Sequence, residues 1–197
     1  MAYFGLKVPH ETARLLSEIN VSKWGEPETP GHYHITVVYI GKSVPVETIA
    51  KMIPAIFSVT SNTKPFTVET NRISCFPPHP KEGTVPIICP IQSEGLLAFR
   101  KAVCKGLDAA GLEYDKKFPD YKPHVTLGYS KDPLVHADWG PDISIPQVEW
   151  GVGELVLWGG DSGDTKLVVT FPLSLAMTKQ ALDRAFVQLA SHRRSTF

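Results

Sequence analysis

His34-Ile35-Thr36-Val37-Val38-Tyr39 and His124-Val125-Thr126-Leu127-Gly128-Tyr129 are two versions of one hexapeptide, His-[Ile/Val]-Thr-[Val/Leu]-x-Tyr, 90 residues apart. Each stands at the end of the same predicted series of elements. Residues 3–8 alternate as a strand, 11–20 carry the helical stripe Leu15, Leu16 and Ile19, and 32–40 read as the strand holding the first copy. Residues 84–91, 93–110 and 124–130 repeat strand, helix and strand around the second copy, with Ser93 as N-cap, Gly111 as C-cap and Leu96, Phe99, Val103 and Leu107 as the buried stripe. The chain thus reads as a duplicated half-domain.

Alternation gives the repeat its chemical meaning. Residues i and i+2 of a strand share a face. His34 and Thr36 therefore point one way, while Ile35, Val37 and Tyr39 point the other; His124 and Thr126 repeat this against Val125, Leu127 and Tyr129. The apolar set is expected to pack under helices, Tyr39 and Tyr129 included. If the halves pair about a pseudo-two-fold axis, two imidazoles and two hydroxyls converge in one cleft. A neutral imidazole can take a proton from an attacking hydroxyl and an imidazolium can give one to a leaving oxygen, because histidine titrates near neutrality. Threonine hydroxyls can donate to the non-bridging oxygens of a phosphodiester as charge develops there.

These residues resemble the 2H phosphoesterase superfamily, the LigT-like group of RNA 2′,3′-cyclic phosphodiesterases and 2′-5′ ligases. Lys122-Pro123-His124-Val125-Thr126-Leu127 is similar to the family's [Arg/Lys]-Pro-His-[aliphatic]-Thr-[aliphatic] signature, and His34-Ile35-Thr36-Val37 to its looser form. Residues 152–158 and 167–173 resemble its closing hairpin, so the likeness spans about residues 2 to 175. It departs at Tyr33, where an aliphatic residue is common, and at the turn Gly159-Gly160-Asp161-Ser162. The resemblance implies an α+β, bilobal, pseudo-two-fold fold: two antiparallel sheets facing a central cleft, with helices outside. It implies catalytic roles for His34 and His124, phosphate contacts for Thr36 and Thr126, and no metal or other cofactor. It implies substrates that are small and RNA-like: 2′,3′-cyclic phosphates, 2′-5′ linkages, cyclic ADP-ribose-derived phosphates, or cyclic oligonucleotide signals of the kind phage-encoded relatives destroy in counter-defence.

Around this centre, Tyr3 is a candidate base-stacking residue, because the corresponding strand in the family borders the cleft. Tyr121, Lys122 and Lys117 lie in the loop entering the second motif, placed to hold a phosphate or stack a base. Tyr33 points away from His34. Trp150 and Trp158 fit either the core or the cleft wall. His32-x-His34 is a metal-ligand spacing that His124 could complete, but no acidic residue follows at a fitting distance, and a metal leaves both threonines unexplained. The alternatives are this His-metal enzyme and a non-catalytic nucleotide- or RNA-binding module of the same fold. His10, His79, His136 and His192 receive no role.

Composition bounds the partners. The chain has 197 residues, 20 Lys+Arg and 20 Asp+Glu, so it lacks the excess of positive charge that duplex binding needs. A small nucleotide or oligonucleotide fits better than long duplex nucleic acid. A chain this long buries roughly 70% of its unfolded surface and needs no staples. Cys75, Cys89 and Cys104, odd in number and far apart, read as buried free thiols of a reducing compartment. No apolar run reaches the ~18 residues of a membrane span, and residues 1–8 read as a strand, not as a signal peptide. A soluble, cytoplasmic monomer is the expectation. Residues 1–175 are expected to form one domain of two half-domain repeats. Residues 176–197 are expected to add a C-terminal amphipathic helix over 179–191, with Leu182, Ala185, Phe186 and Leu189 on its apolar face, and a basic tail at His192-Arg193-Arg194. Three further expectations concern chain breaks: Pro54 bends or ends a helix over 46–57, residues 65–76 form a strand or strand pair, and residues 147–158 form one strand.

Overall fold

The computed structural model describes residues 1–117, 120–135, 145–159, 166–174 and 186–189. The fold is α+β, built on two antiparallel sheets. The first has the order β10-β9-β1-β3: β1 (Ala2–Lys7), β3 (His34–Gly41), β9 (Glu154–Gly159) and β10 (Lys166–Pro172). The second has the order β2-β7-β6-β4-β8: β2 (Glu26–Pro27), β7 (His124–Ser130), β6 (Val85–Gln92), β4 (Phe66–Thr70) and β8 (Glu149–Val152), with β5 (Ser74–Cys75) also pairing to β6. The helices are α1 (His10–Ser17), α2 (Val46–Ser61) and α3 (Glu94–Ala109).

Local chemistry explains most boundaries. The Ser93 hydroxyl accepts a hydrogen bond from the Leu96 amide at 3.1 Å and starts α3. Gly111, at φ +66°, follows the helix end, where a left-handed residue turns the chain. Leu96, Phe99, Val103 and Leu107 are buried, each contributing roughly 1.5–3 kcal/mol by leaving water. Pro54 sits inside α2 on its exposed side, and the helix continues to Ser61, past the expected end at 57. The buried stripe Ile49, Met52, Ile53, Ile56 and Thr60 holds it, and packing of one apolar face overrides the lost backbone bond. Conversely, α1 stops at Ser17, and Val21–Lys23 form a separate 3₁₀ turn.

Residues 147–158 are not one strand. β8 pairs with β4 of the second sheet, β9 pairs with β1 of the first, and the chain changes sheet at Gly153. The burial pattern records the change. Residues 149–152 alternate exposed and buried, whereas Leu155, Val156 and Leu157 are all buried because β9 lies inside its sheet. Trp150 belongs to the core cluster, which joins residues of both sheets and of α1, α2 and α3. Residues 186–189 are helical, and Leu189 is buried in that same core. The rest of the expected C-terminal helix, the tail and the turn at 160–165 lie outside the described residues. Of the three free thiols only Cys89 is buried; Cys75 and Cys104 are half-buried. Burial pushes the Cys89 thiol up to about 11. Among the described residues no helix is long and apolar enough to cross a membrane.

The duplication extends to register. In the first sheet Lys7, Leu6, Gly5, Phe4 and Tyr3 oppose His34, Ile35, Thr36, Val38 and Tyr39. In the second, Pro90, Cys89, Ile88, Ile87 and Pro86 oppose His124, Val125, Thr126, Gly128 and Tyr129. Val37 and Leu127, each three residues after its histidine, are the extra residues of two equivalent β-bulges. The bulges correct the expected facing. Val37 and Val38 are both buried, as are Leu127 and Gly128, so the alternation slips by one. Tyr39 and Tyr129 therefore turn to the face of the histidines, and Tyr129 is 43% exposed there.

Candidate active site

His34 and His124 are the first residues of β3 and β7 and have the same local geometry. Nδ1 of His34 lies 2.7 Å from the His32 carbonyl oxygen, and Nδ1 of His124 lies 2.7 Å from the Lys122 carbonyl oxygen. A carbonyl only accepts, so each Nδ1 carries the proton and donates. Nε2 is then the nitrogen each ring offers to a substrate, as acceptor when neutral and as donor when charged. The motif strands pack against one another. His34 also lowers the pKa of His124. For both, burial is the largest cause and pushes the pKa down, while the hydrogen bond to the carbonyl raises it.

Each ring is flanked by an aromatic side chain from a neighbouring segment. Phe76, next to β5, meets His124 edge-on at 4.7 Å between centroids. Trp158 of β9 lies 5.8 Å from His34. Tyr3 stacks on both His34 (4.8 Å) and Trp158 (5.4 Å). Gly5 makes room for this cluster, since a Cβ there would come 3.1 Å from Trp158 and 2.7 Å from the Ile35 carbonyl oxygen. Tyr3, Ile88 and Val156 are buried yet stand apart from the main core cluster. Ile88 pairs with Thr126 across its sheet, and Val156 pairs with Gly5, which in turn pairs with Thr36.

Two tethers cross between the motifs. The Tyr121 hydroxyl, just ahead of the second motif, donates to the Thr36 carbonyl oxygen at 2.9 Å. The Glu28 amide, ahead of the first motif, donates to the Leu127 carbonyl oxygen at 2.8 Å, beside the pairing of β2 with β7. The lead-in of each motif is thus bonded to the strand of the other. Gly128 permits the second tether: a Cβ there would meet Val21 Cγ1 at 2.8 Å and the Glu26 carbonyl.

Several candidates take other positions than the sequence led us to expect. Tyr121 does not offer its ring to a base. The Arg100 guanidinium covers it at 4.5 Å, its hydroxyl is committed to Thr36, and burial raises its pKa. Tyr3 is 7% exposed, with His34 and Trp158 stacked against it, and its phenol is pushed up to about 12 by burial. It supports His34 where a stacking platform was expected. Lys122 is exposed and enters the site through its carbonyl. The Lys117 amide bonds the Asp115 carboxylate at 2.8 Å and its ammonium lies 3.5 Å from it, in a local turn. Tyr33 is in the core. Thr36 and Thr126 stand half-buried on the histidine face.

His32 loses the premise of the metal reading. It ends a 3₁₀ turn (Pro30–His32), so it does not share a strand face with His34, and its Nδ1 lies 3.2 Å from Glu28 Oε1. Among the described residues no three His, Cys, Asp or Glu side chains gather as a metal site.

Sequence reasoning missed Glu28, Phe76, Trp158 as a definite cleft residue, and Tyr129. Tyr129 interacts with Thr126 and with the Glu28 carboxylate. The repeat carried a clue to the aromatic pair, because Phe76 and Trp158 flank equivalent strands. Nothing local signalled the bulges.

A family model described as the 2′-5′ RNA ligase superfamily matches residues 11–164. No curated protein matches the chain. Among solved structures, TT0787 of Thermus thermophilus is similar with a TM-score of 0.67 at 20% identity, over 89% of this chain and 99% of that one. E. coli LigT, crystallised with ATP, gives 0.57 at 14% identity over 88% and 97%. Usb1 of Kluyveromyces marxianus gives 0.55 at 9% identity over 87% and 97%. At these identities the likeness is one of fold.

Proposed function

The chain belongs to the 2′-5′ RNA ligase superfamily, and on that premise we propose that it is a metal-independent phosphodiesterase acting on a small RNA-like substrate by two-histidine acid–base catalysis. The observation that carries this reading is the matched pair of Nδ1 bonds at 2.7 Å, which leaves both Nε2 atoms for a substrate. One imidazole takes the proton of the attacking water while the other gives a proton to the leaving ribose oxygen. Thr36 and Thr126 donate to the non-bridging oxygens as negative charge builds on them. Lys122 adds a nearby positive charge for the phosphate. Depressed pKa values favour the neutral base near neutrality and require the acid to hold its proton against burial. The substrates in view are a 2′,3′-cyclic phosphate, a 2′-5′ linkage or a cyclic oligonucleotide signal. Tyr129, exposed on the histidine face, offers a ring to stack a base.

The test is a panel of 2′,3′-cyclic nucleotides, 2′-5′ oligoadenylate and cyclic di- and trinucleotides, with and without EDTA. Wild type is expected to cleave at least one of them in either condition. His34→Ala and His124→Ala are each expected to lose about 10²–10⁴-fold in kcat. Full activity in the double variant would end the mechanism, and loss in EDTA with rescue by zinc would favour a metal enzyme.

A further inference from the structure

We infer that Arg100 is a positioning residue: its guanidinium, seated on the Tyr121 ring, fixes the hydroxyl that holds the Thr36 carbonyl, and so sets the first motif against the second. This rests on the two-histidine phosphodiesterase reading, in which Thr36 contacts the phosphate, and deepens it.

The duplication shows why such a residue is needed. In both motif strands a β-bulge follows the threonine, with Val37 and Leu127 as the extra residues. A bulge interrupts the ladder, and the backbone groups beside it need partners. β7 has β2 as its outer neighbour, and a backbone amide, that of Glu28, holds the Leu127 carbonyl oxygen at 2.8 Å. β3 ends its sheet, and its Thr36 carbonyl oxygen is held by a side chain, the Tyr121 hydroxyl at 2.9 Å. A backbone amide beside a strand pair has a fixed place. A phenol turns about its side-chain torsions and keeps its place only if its ring is held.

Arg100 holds it. The residue lies on α3 between Leu96 and Val103 of the buried stripe, and its guanidinium carbon is 4.5 Å from the centroid of the Tyr121 ring. That is the separation of a cation–π contact, which the planar guanidinium makes well. The ring also packs against the main core, so core and guanidinium together restrict it. Nε of Arg100 is buried and has no hydrogen-bond partner among the described residues. A buried donor without an acceptor is uncommon, so this placement of the guanidinium is held at a cost. Burial raises the pKa of the phenol, and the Arg100 charge opposes that rise. A hydroxyl polarised in this way donates more strongly to the carbonyl.

The consequence falls on the reacting geometry. Tyr121 stands three residues before His124, and Thr36 two after His34, so the tether spans the two motifs. Loosening it displaces the two histidines and two threonines relative to each other and removes none of them. Such a change lowers the rate of the chemical step more than it weakens substrate binding.

Two measurements test this. The first is steady-state kinetics on the panel substrate that wild type cleaves fastest. The second is the ζ-carbon resonance of isotopically labelled tyrosine, assigned to Tyr121 by its loss in Tyr121→Phe, which reports the hydrogen bond of the phenol. Arg100→Met keeps the length of the side chain and removes its charge. It is expected to lower kcat about 10- to 100-fold with KM within about twofold, and to shift the resonance toward that of a water-exposed tyrosine. Arg100→Lys restores a cation and is expected to fall between Arg100→Met and wild type in both readouts. In the Tyr121→Phe background, Arg100→Met is expected to cost less than about twofold further in kcat, because the hydroxyl through which Arg100 acts is gone. Costs that simply add, a rise in KM that matches the fall in kcat, or an unmoved resonance would overturn the inference while the two-histidine reading stands. If Arg100→Met does not fold, the same comparisons with Arg100→Lys decide. Failure of wild type on every substrate would remove the functional reading, and the resonance would still decide whether Arg100 holds Tyr121.

Discussion

The Nδ1–carbonyl bond at each motif histidine does two things at the scale of a single residue. It selects the tautomer, and it stops the ring from turning its other nitrogen to the substrate. Burial acts against the charged form in both rings. A histidine whose folded pKa lies below its unfolded value of about 6.5 binds fewer protons folded than unfolded. Its stabilising effect is whole above the unfolded pKa and is lost as pH falls through the folded one. Thermal melts from about pH 8 to 5 should therefore show the melting temperature falling on the acid side, and His34→Gln/His124→Gln should make that fall shallower. Tyr129 bears a second residue-scale prediction. Tyr129→Ala should raise KM on the order of tenfold or more with kcat nearly unchanged, because base stacking is worth ~1–3 kcal/mol. An unchanged KM in steady-state kinetics would put the base elsewhere.

The bulges and the cross-tethers matter at the scale of elements. One extra residue in β3 and one in β7 turn the following tyrosines from the core to the cleft. Periodicity placed the histidines and threonines rightly and the tyrosines wrongly, since a single inserted residue inverts every side chain beyond it. The tether through Tyr121 ties the second motif's loop to β3. Tyr121→Phe should leave the Thr36 carbonyl without its donor and cost about 1–3 kcal/mol in urea unfolding, with kcat falling more than KM rises as the motifs loosen. Gly5→Ala should push Trp158 off its place beside Tyr3. Quenched or shifted indole fluorescence together with reduced activity is the expected result, and an unaltered spectrum would mean that the strand absorbs the added methyl.

At the scale of the whole molecule, the formal net charge is zero, and the site offers a few donors instead of a basic surface. Cleavage of a small substrate should then respond weakly to salt, with a log–log slope in kcat/KM far shallower than the value near −6 expected of a protein neutralising about 6 to 7 duplex phosphates. A steep slope between about 50 and 200 mM salt would point to a longer nucleic acid. The repeat, the strand–helix–strand order, the His/Thr face and the buried stripe of α3 were all legible in the sequence, because periodicity and capping are local properties of the chain. The break of residues 147–158 at Gly153, the persistence of α2 past Pro54, the bulges, the committed Tyr121 and the tether through Glu28 were not. Each depends on a partner distant in sequence: β4 and β1 divide β8 from β9, the core holds α2, Thr36 receives Tyr121, and β7 anchors Glu28. The sequence by itself determined which groups could move protons. Only the tertiary structure decided which nitrogen each ring presents and which aromatic side chain stands beside it, because those follow from contacts between segments that the chain brings together only on folding.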